Sequence, residues 1–271
     1  MAKYNTRGIK MAPGLFQHPA DRAACKAIKA SDAFRKALAF ISSNSLEKYL
    51  NGIYSSSMLQ LTPENAPVIY EMIDEAKEMF GEKRDPIIFT ERRYSFKTGI
   101  EGIEKVFVRA STECLYRMDE TTLWIWISGI ISAVKSGYGE IGFINTLCLN
   151  SAGILPDIVV KSMSLLLDNW RKYAQLSIDR AGLVASGDIN AVIRNIYLDY
   201  PPELLDDEDL TSPDCRIYKQ AMEFANNENA IEGVAWNIYS VLRKDSYRSF
   251  RYLELLKFYK EEYPGIISLF E

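Results

Sequence analysis

The sequence predicts an α+β protein, mainly helical, with one small sheet confined to its N-terminal half. Three observations carry this expectation. Apolar residues recur at helical spacing behind recognisable caps over most of the chain. Short β-rich runs bounded by glycine occur before Arg109 and almost nowhere after it. The length of 271 residues, with 48% hydrophobic side chains, suffices for a substantial core.

The elements follow in chain order. Pro19-Ala20-Asp21 opens a helix through Ala23, Ala24, Ala27 and Ile28, and Ser31-Asp32 caps a second through Phe34, Leu38 and Ile41. Ile53 to Leu61 reads as a strand. Thr62-Pro63-Glu64 combines a cap, a proline at the first helical position and an acid in the first turn. Val68, Ile69, Met72, Ile73, Ala76 and Phe80 follow at helical spacing, and Gly81 ends the run. Ile87 to Phe89, Tyr94 to Lys97 and Lys105 to Arg109 complete the strand set, with Gly99 and Gly102 as turn residues. Beyond them the pattern is helical. Asp119-Glu120 starts a helix carrying Leu123 to Lys135, and Pro156 starts a long one through Trp170, Ile178 and Leu183. Asp188 caps another towards Tyr200. Pro201-Pro202 and the run Asp206-Asp207-Glu208-Asp209 read as a solvated acidic linker over 201–212. Ser212-Pro213 opens a C-terminal helical segment, 213–271, whose last helix covers Tyr247 to Tyr259 and which packs on the domain formed by 1–200.

Composition excludes several functions. Lysine and arginine total 32 against 36 acids, a net charge of −4, and the pair Arg92-Arg93 is too short to form a basic stripe, so no nucleic-acid partner is expected. Cys25, Cys114, Cys148 and Cys215 are scattered, form no C-x-x-C pair, and read as free, mostly buried thiols in a reducing compartment. The start of the chain leads into no apolar core of a secretory signal. The most apolar stretch, Leu123 to Val134, falls short of the ~20 residues that span a bilayer. A cytoplasmic protein without a transmembrane segment is the expectation.

Two stretches carry a family resemblance. Trp170 to Leu183 contains Ile178-Asp179-Arg180-Ala181-Gly182-Leu183, which resembles the E-x-x-A-D-R-A-G-L segment of the HtpX-like (CAAX prenyl protease type) zinc metallopeptidases. Asp119 to Tyr138, with its acidic lead-in and its Lys135-Ser136-Gly137-Tyr138 ending, resembles that family's H-E-x-x-H helix, whose ending is K-S-G-H. The separation of the two stretches agrees with the family's. Weaker patches add to them: Asn5 to Ile9, Phe16 to Asp21, Tyr94 to Gly99 where the family has an N-A-F-x-x-G strand, and Arg251 to Leu255 at the closing helix. The resemblance implies a zincin-like metallopeptidase scaffold over 1–200. Its register implies that Gly129 stands at the first histidine ligand, Ile130 at the catalytic glutamate, Ala133 at the second histidine and Gln175 at the glutamate ligand. Asp179 keeps an aspartate that in the family supports a metal-bound histidine, and Arg180 is likewise kept.

A catalytic zinc of this class needs two imidazoles at i and i+4 on one helix face, a carboxylate ligand, and a glutamate base acting on the bound water. The chain has one histidine, His18, so it cannot supply two imidazoles by itself. No metal and no cofactor are expected. Gly129, Ile130, Ile131, Ser132 and Ala133 are small or apolar, a face able to pack where the family holds its metal. The expected function is therefore that of a catalytically inactive homologue binding a peptide or protein, in a regulatory or scaffold role. Two alternatives are an enzyme with non-zinc chemistry in the remnant cleft and an inactive subunit paired with an active homologue. The candidate cleft residues are Trp126, Tyr138, Gln175, Asp179 and Arg180. Core packing is the competing reading for Trp126, and a structural ion pair or packing hydrogen bond for Asp179 and Arg180. For His18, next to Pro19 near a helix start, a capping or structural role is expected ahead of a catalytic one.

Overall fold

A computed structural model describes residues 11–92, 98–150, 154–230 and 248–269. The protein is mainly helical, with a four-stranded mixed sheet, so the α+β expectation holds at that level. Pro13–Phe16 (α1) and Pro19–Ala30 (α2) come first, followed by Asp32–Ser43 (α3) and Leu46–Ser57 (α4). Leu59–Gln60 forms β1, Pro67–Phe80 forms α5, and Pro86–Glu91, Gly99–Glu101 and Val106–Ser111 form β2 to β4. Then come Thr112–Arg117 (α6), Glu120–Lys135 (α7), Tyr138–Asn150 (α8), Asp157–Ser186 (α9) and Ile189–Ile196 (α10). A 3-10 turn at Pro202–Leu205 precedes Arg216–Ala230 (α11), Arg248–Glu261 (α12) and Tyr263–Ile267 (α13).

The sheet order is β1-β2-β4-β3, with β2 and β4 parallel and both outer strands antiparallel to their neighbours. Each outer strand has at least one backbone contact on its outer side. Beside β3, the Gly102 N–H donates to the Gly139 carbonyl at 3.0 Å, and Gly142 lies against the Ile100 carbonyl so closely that no Cβ would fit. Beside β1, the Asn65 side-chain amide donates to the Gln60 carbonyl at 3.1 Å.

Helix α7 is the centre of the molecule. Positions 124–134 are all buried, as suits a helix that is apolar on every side. It lies between two cores. The larger, including Ile125, Ile130 and Ile131, also takes in α5, α10 and α12; the smaller, including Ala133, takes in α2, α3, α8 and the first half of α9. Its C-terminal end is tied to the loop after α5. Lys135 Nζ donates to the Gly81 carbonyl at 2.6 Å and Arg84 Nη2 to the Val134 carbonyl at 2.7 Å, satisfying one of the helix's final carbonyls with a positive group. Glu82 holds that loop, accepting from the Lys83 and Arg84 amides at 2.9 and 3.0 Å and from Arg84 Nε at 3.1 Å.

Local caps form where the sequence places them: Ser31 on α3, Asp119 on α7 and Asp188 on α10 each accept from a backbone N–H two or three residues on. Two expectations need correction. Ile53 to Leu61 is largely helix, and only Leu59 and Gln60 pair as strand. Leu46, Leu50 and Tyr54 recur every fourth residue, and burying Tyr54 between Phe89 and Phe107 outweighs the local strand preference. The helix expected from Thr62 begins at Pro67, because a proline there, four residues into a helix starting at Pro63, would collide with the preceding turn. Thr62 and Asn65 close a separate turn instead. The expected strand Tyr94 to Lys97 and the N-terminal patch Asn5 to Ile9 lie outside the described residues. In the acidic segment, Leu205 and Leu210 are buried, with the Leu210 N–H donating to Asn190 Oδ1 and its carbonyl accepting from Tyr252 OH. Among the described residues, no helix is long and apolar enough to cross a membrane.

Candidate functional site

Helices α7 and α9 cross antiparallel through a reciprocal contact. A Cβ placed on Gly129 would stand 2.7 Å from Ile178 Cγ2, and one placed on Gly182 would stand 2.9 Å from Ile125 Cγ2. Each helix thus offers an isoleucine to the other's glycine, four residues apart on both. Lacking Cβ atoms, the glycines let the two backbones approach closely. The four positions that resemble a metal site are placed by this crossing. Gly129 is filled by Ile178. Ile130 is buried in the larger core and Ala133 in the smaller. Gln175 is half-buried, one turn before Ile178. Ser132, between them, donates its hydroxyl to the Gly129 carbonyl at 2.8 Å, inside its own helix.

The polar chemistry near the crossing centres on Asp21, a residue at 0% exposure. Its carboxylate accepts from the Tyr138 hydroxyl, from Ser177 Oγ at 2.6 Å, from Gln17 Nε2 at 2.9 Å and from the Cys25 thiol at 3.4 Å. Four donors from α2, its lead-in, α8 and α9 satisfy one buried acid, which is what burying a carboxylate without a cation requires. Burial pushes the Tyr138 phenol well above its ordinary value, and the Asp21 charge adds to it. Burial and then Asp21 likewise raise the Cys25 thiol, so neither group forms a nucleophile at neutral pH. Tyr138 packs edge-on to Trp170 at 5.5 Å.

His18 joins this hub to α12. Its ring Nδ1 accepts from the Ala20 N–H at 3.2 Å, capping α2. Its own N–H donates to Ser177 Oγ at 3.0 Å, and its ring stacks on Tyr173. Nε2 lies 3.3 Å from Glu254 Oε2. With Nδ1 accepting, Nε2 is the atom that carries the proton and donates. This bond from His18, opposed by burial, holds the Glu254 carboxyl below its usual range.

Asp179 and Arg180 pair with the C-terminal helices instead of with each other. Arg251 grips Asp179 with two bonds, Nε to Oδ2 at 2.8 Å and Nη2 to Oδ1 at 2.7 Å. Arg180 lies over the Phe258 ring, 4.4 Å from its centre, with Nη1 3.3 Å from Glu262. Burial lowers the Arg180 pKa, and Glu262 and Glu254 oppose that. Trp126 is buried and donates its indole N–H to Thr98 Oγ1 at 2.8 Å. The candidate cleft residues are therefore spread over separate contacts that hold helices together.

Sequence reasoning passed over two buried acids. Asp21 has the place of a helix-opening residue in the sequence, yet it stands four residues before Cys25 on one face of α2 and four after Gln17, a polar spacing that is local. Glu101, at 1% exposure, accepts from the Tyr54 hydroxyl, Thr146 Oγ1 and Arg109 Nη2. Its three donors lie far away in sequence or on the next strand, and no local signal marks it. Asp207, Glu208, Asp209 and Asp214 rim an open depression of about 220 Å³. Among the described residues, no group of three or more His, Cys, Asp or Glu is placed to hold a metal ion. A scan against protein-family models finds no match to this chain, and searches of curated proteins and of solved structures find none either.

Proposed function

We propose that this chain is a catalytically inactive relative of the HtpX-like zinc metallopeptidases, serving as a protein-binding or scaffold module. One observation carries the reading: Ile178 fills the space beside Gly129, the position that the resemblance assigns to the first zinc ligand. On this reading the helix that holds the metal in the family is here a packing surface, with two isoleucines facing two glycines at the crossing. The single histidine is used as a cap on α2, away from that position. A peptide held as an added strand would need a free sheet edge, and here α8 lies along Gly99–Glu101 while the other outer strand is only two residues long. Binding through an external surface is what the architecture favours. An enzyme with other chemistry at the same place would need room beside Gly129, and Ile178 occupies it.

The test is direct. Purified protein incubated with zinc and desalted should hold well under one zinc per chain by elemental analysis. It should also show no chelator-sensitive cleavage of unfolded protein substrates. One zinc per chain together with proteolysis abolished by a chelator would overturn the reading.

A further inference from the structure

We propose that two copies of this chain pair through the outer face of the first half of α9. That half turns Val159, Met163, Leu167 and Trp170 into the smaller core. The opposite face carries Ile158, Lys161, Ser162, Leu165 and Asp168, all exposed. Single exposed apolar residues are ordinary. Here Ile158 and Leu165 are 75% and 73% exposed and stand one heptad apart, the spacing of a helix–helix seam. The serines of this stretch do little to wet it. Ser162 and Ser164 donate their hydroxyls to the Ile158 and Val160 carbonyls at 2.7 and 2.8 Å, within the helix.

The charges say what covers the face. An antiparallel copy centred between Ser164 and Leu165 places Lys161 opposite Asp168 on both sides of the two-fold axis. It also brings each Leu165 beside its counterpart and each Ile158 opposite an Arg171, whose alkyl stem can lie along it. A parallel copy would set Lys161 against Lys161 and Asp168 against Asp168. The face is thus self-complementary in one direction only, which is the requirement for a two-fold dimer. The matching stretch, 157–171, is about 22 Å long. Within the helix Arg171 pairs with Asp168 at 2.8 Å. A single helix pair lies at the small end of interface sizes.

Sedimentation equilibrium of the full chain over a concentration series tests this, with circular dichroism and melting curves confirming the fold of each variant. The wild type should dimerise. Leu165→Glu, on the exposed face, should leave a monomer. Lys161→Asp should weaken the dimer by about tenfold or more through like-charge contacts. The swap Lys161→Asp with Asp168→Lys should restore affinity to within about threefold of wild type. A wild type monomeric at every concentration, a dimer indifferent to Leu165→Glu, or a swap that fails to recover what the single change lost would each overturn the proposal. So would wild-type monomer bound to phosphatidylcholine vesicles through Leu165, which would assign the face to lipid. Dimerisation and zinc binding are read separately, so failure of either reading leaves the other standing.

Discussion

Asp21 shows how much one side chain can hold. Its carboxylate gathers hydroxyl, amide and thiol donors from α2, its lead-in, α8 and α9. Asp21→Ala leaves those donors buried and unpaired and should cost about 3–5 kcal/mol in urea unfolding. Tyr138→Phe removes only one donor and should cost about 1–2 kcal/mol. Similar costs for the two would mean that Asp21 is not the hub. Glu82 makes a pH-dependent counterpart. Burial works to raise its carboxyl, but the Arg84 guanidinium and the Arg84 and Lys83 amides overcome it and hold the pKa near about 2, against 4.5 ordinarily. A carboxyl depressed by folding contributes stability that is fully present above its unfolded value and is lost as pH falls through the folded one. The penalty of Glu82→Gln should therefore be constant above pH 4.5 and shrink between 4.5 and about 2. Denaturation curves at pH 6 and pH 3 compare the two regimes, and equal penalties would contradict this account.

At the scale of elements, the α7–α9 crossing is set by its two glycines. Gly129→Ala brings a methyl within 2.7 Å of Ile178 Cγ2 and should destabilise by about 1–3 kcal/mol through overpacking. In an Ile178→Ala background the added methyl has room, and the penalty of Gly129→Ala should fall towards zero or reverse. A double-mutant cycle by chemical denaturation reads the coupling, and additive effects would refute the contact. Elements were legible wherever the signal was local. Ser31, Asp119 and Asp188 cap the helices they precede, and the apolar stretch Leu123 to Val134 lies within the helix that starts there. They were misread where a distant contact decided the outcome. Tyr54 makes α4 a helix by reaching Phe89 and Phe107, which no local pattern displays. The candidate site was legible in part for the same reason. The small residues of α7 announced a packed face, but Ile178 as the partner that fills it depends on the register of two helices far apart in the chain.

The whole molecule is closed by its C-terminal helix. Helix α12 meets α9 through Arg251 on Asp179 and meets the start of α2 through Glu254 on His18; Glu262, just beyond it, takes Arg180. Tyr252, Leu255 and Phe258 fill the larger core beneath these bonds. Asp179 is 3% exposed, so Arg251→Ala strands a buried carboxylate and should cost about 3–5 kcal/mol, whereas removing both partners should cost less than the two single changes together. Thermal melts of the two single variants and the double variant measure this. Additive losses would show that Asp179 and Arg251 act independently.

The covered margins of the sheet bear on the behaviour of the protein in concentrated solution. Strands with free backbone groups are templates on which further chains stack, and the growth of cross-β fibrils starts from such rows. Here the outer side of Leu59–Gln60 is taken by an asparagine side chain, and that of Gly99–Glu101 by the glycine face of a helix. Both contacts shorten the row of unpaired backbone that a further chain could join, and on the Gly99–Glu101 side that protection depends on α8 staying seated on the sheet.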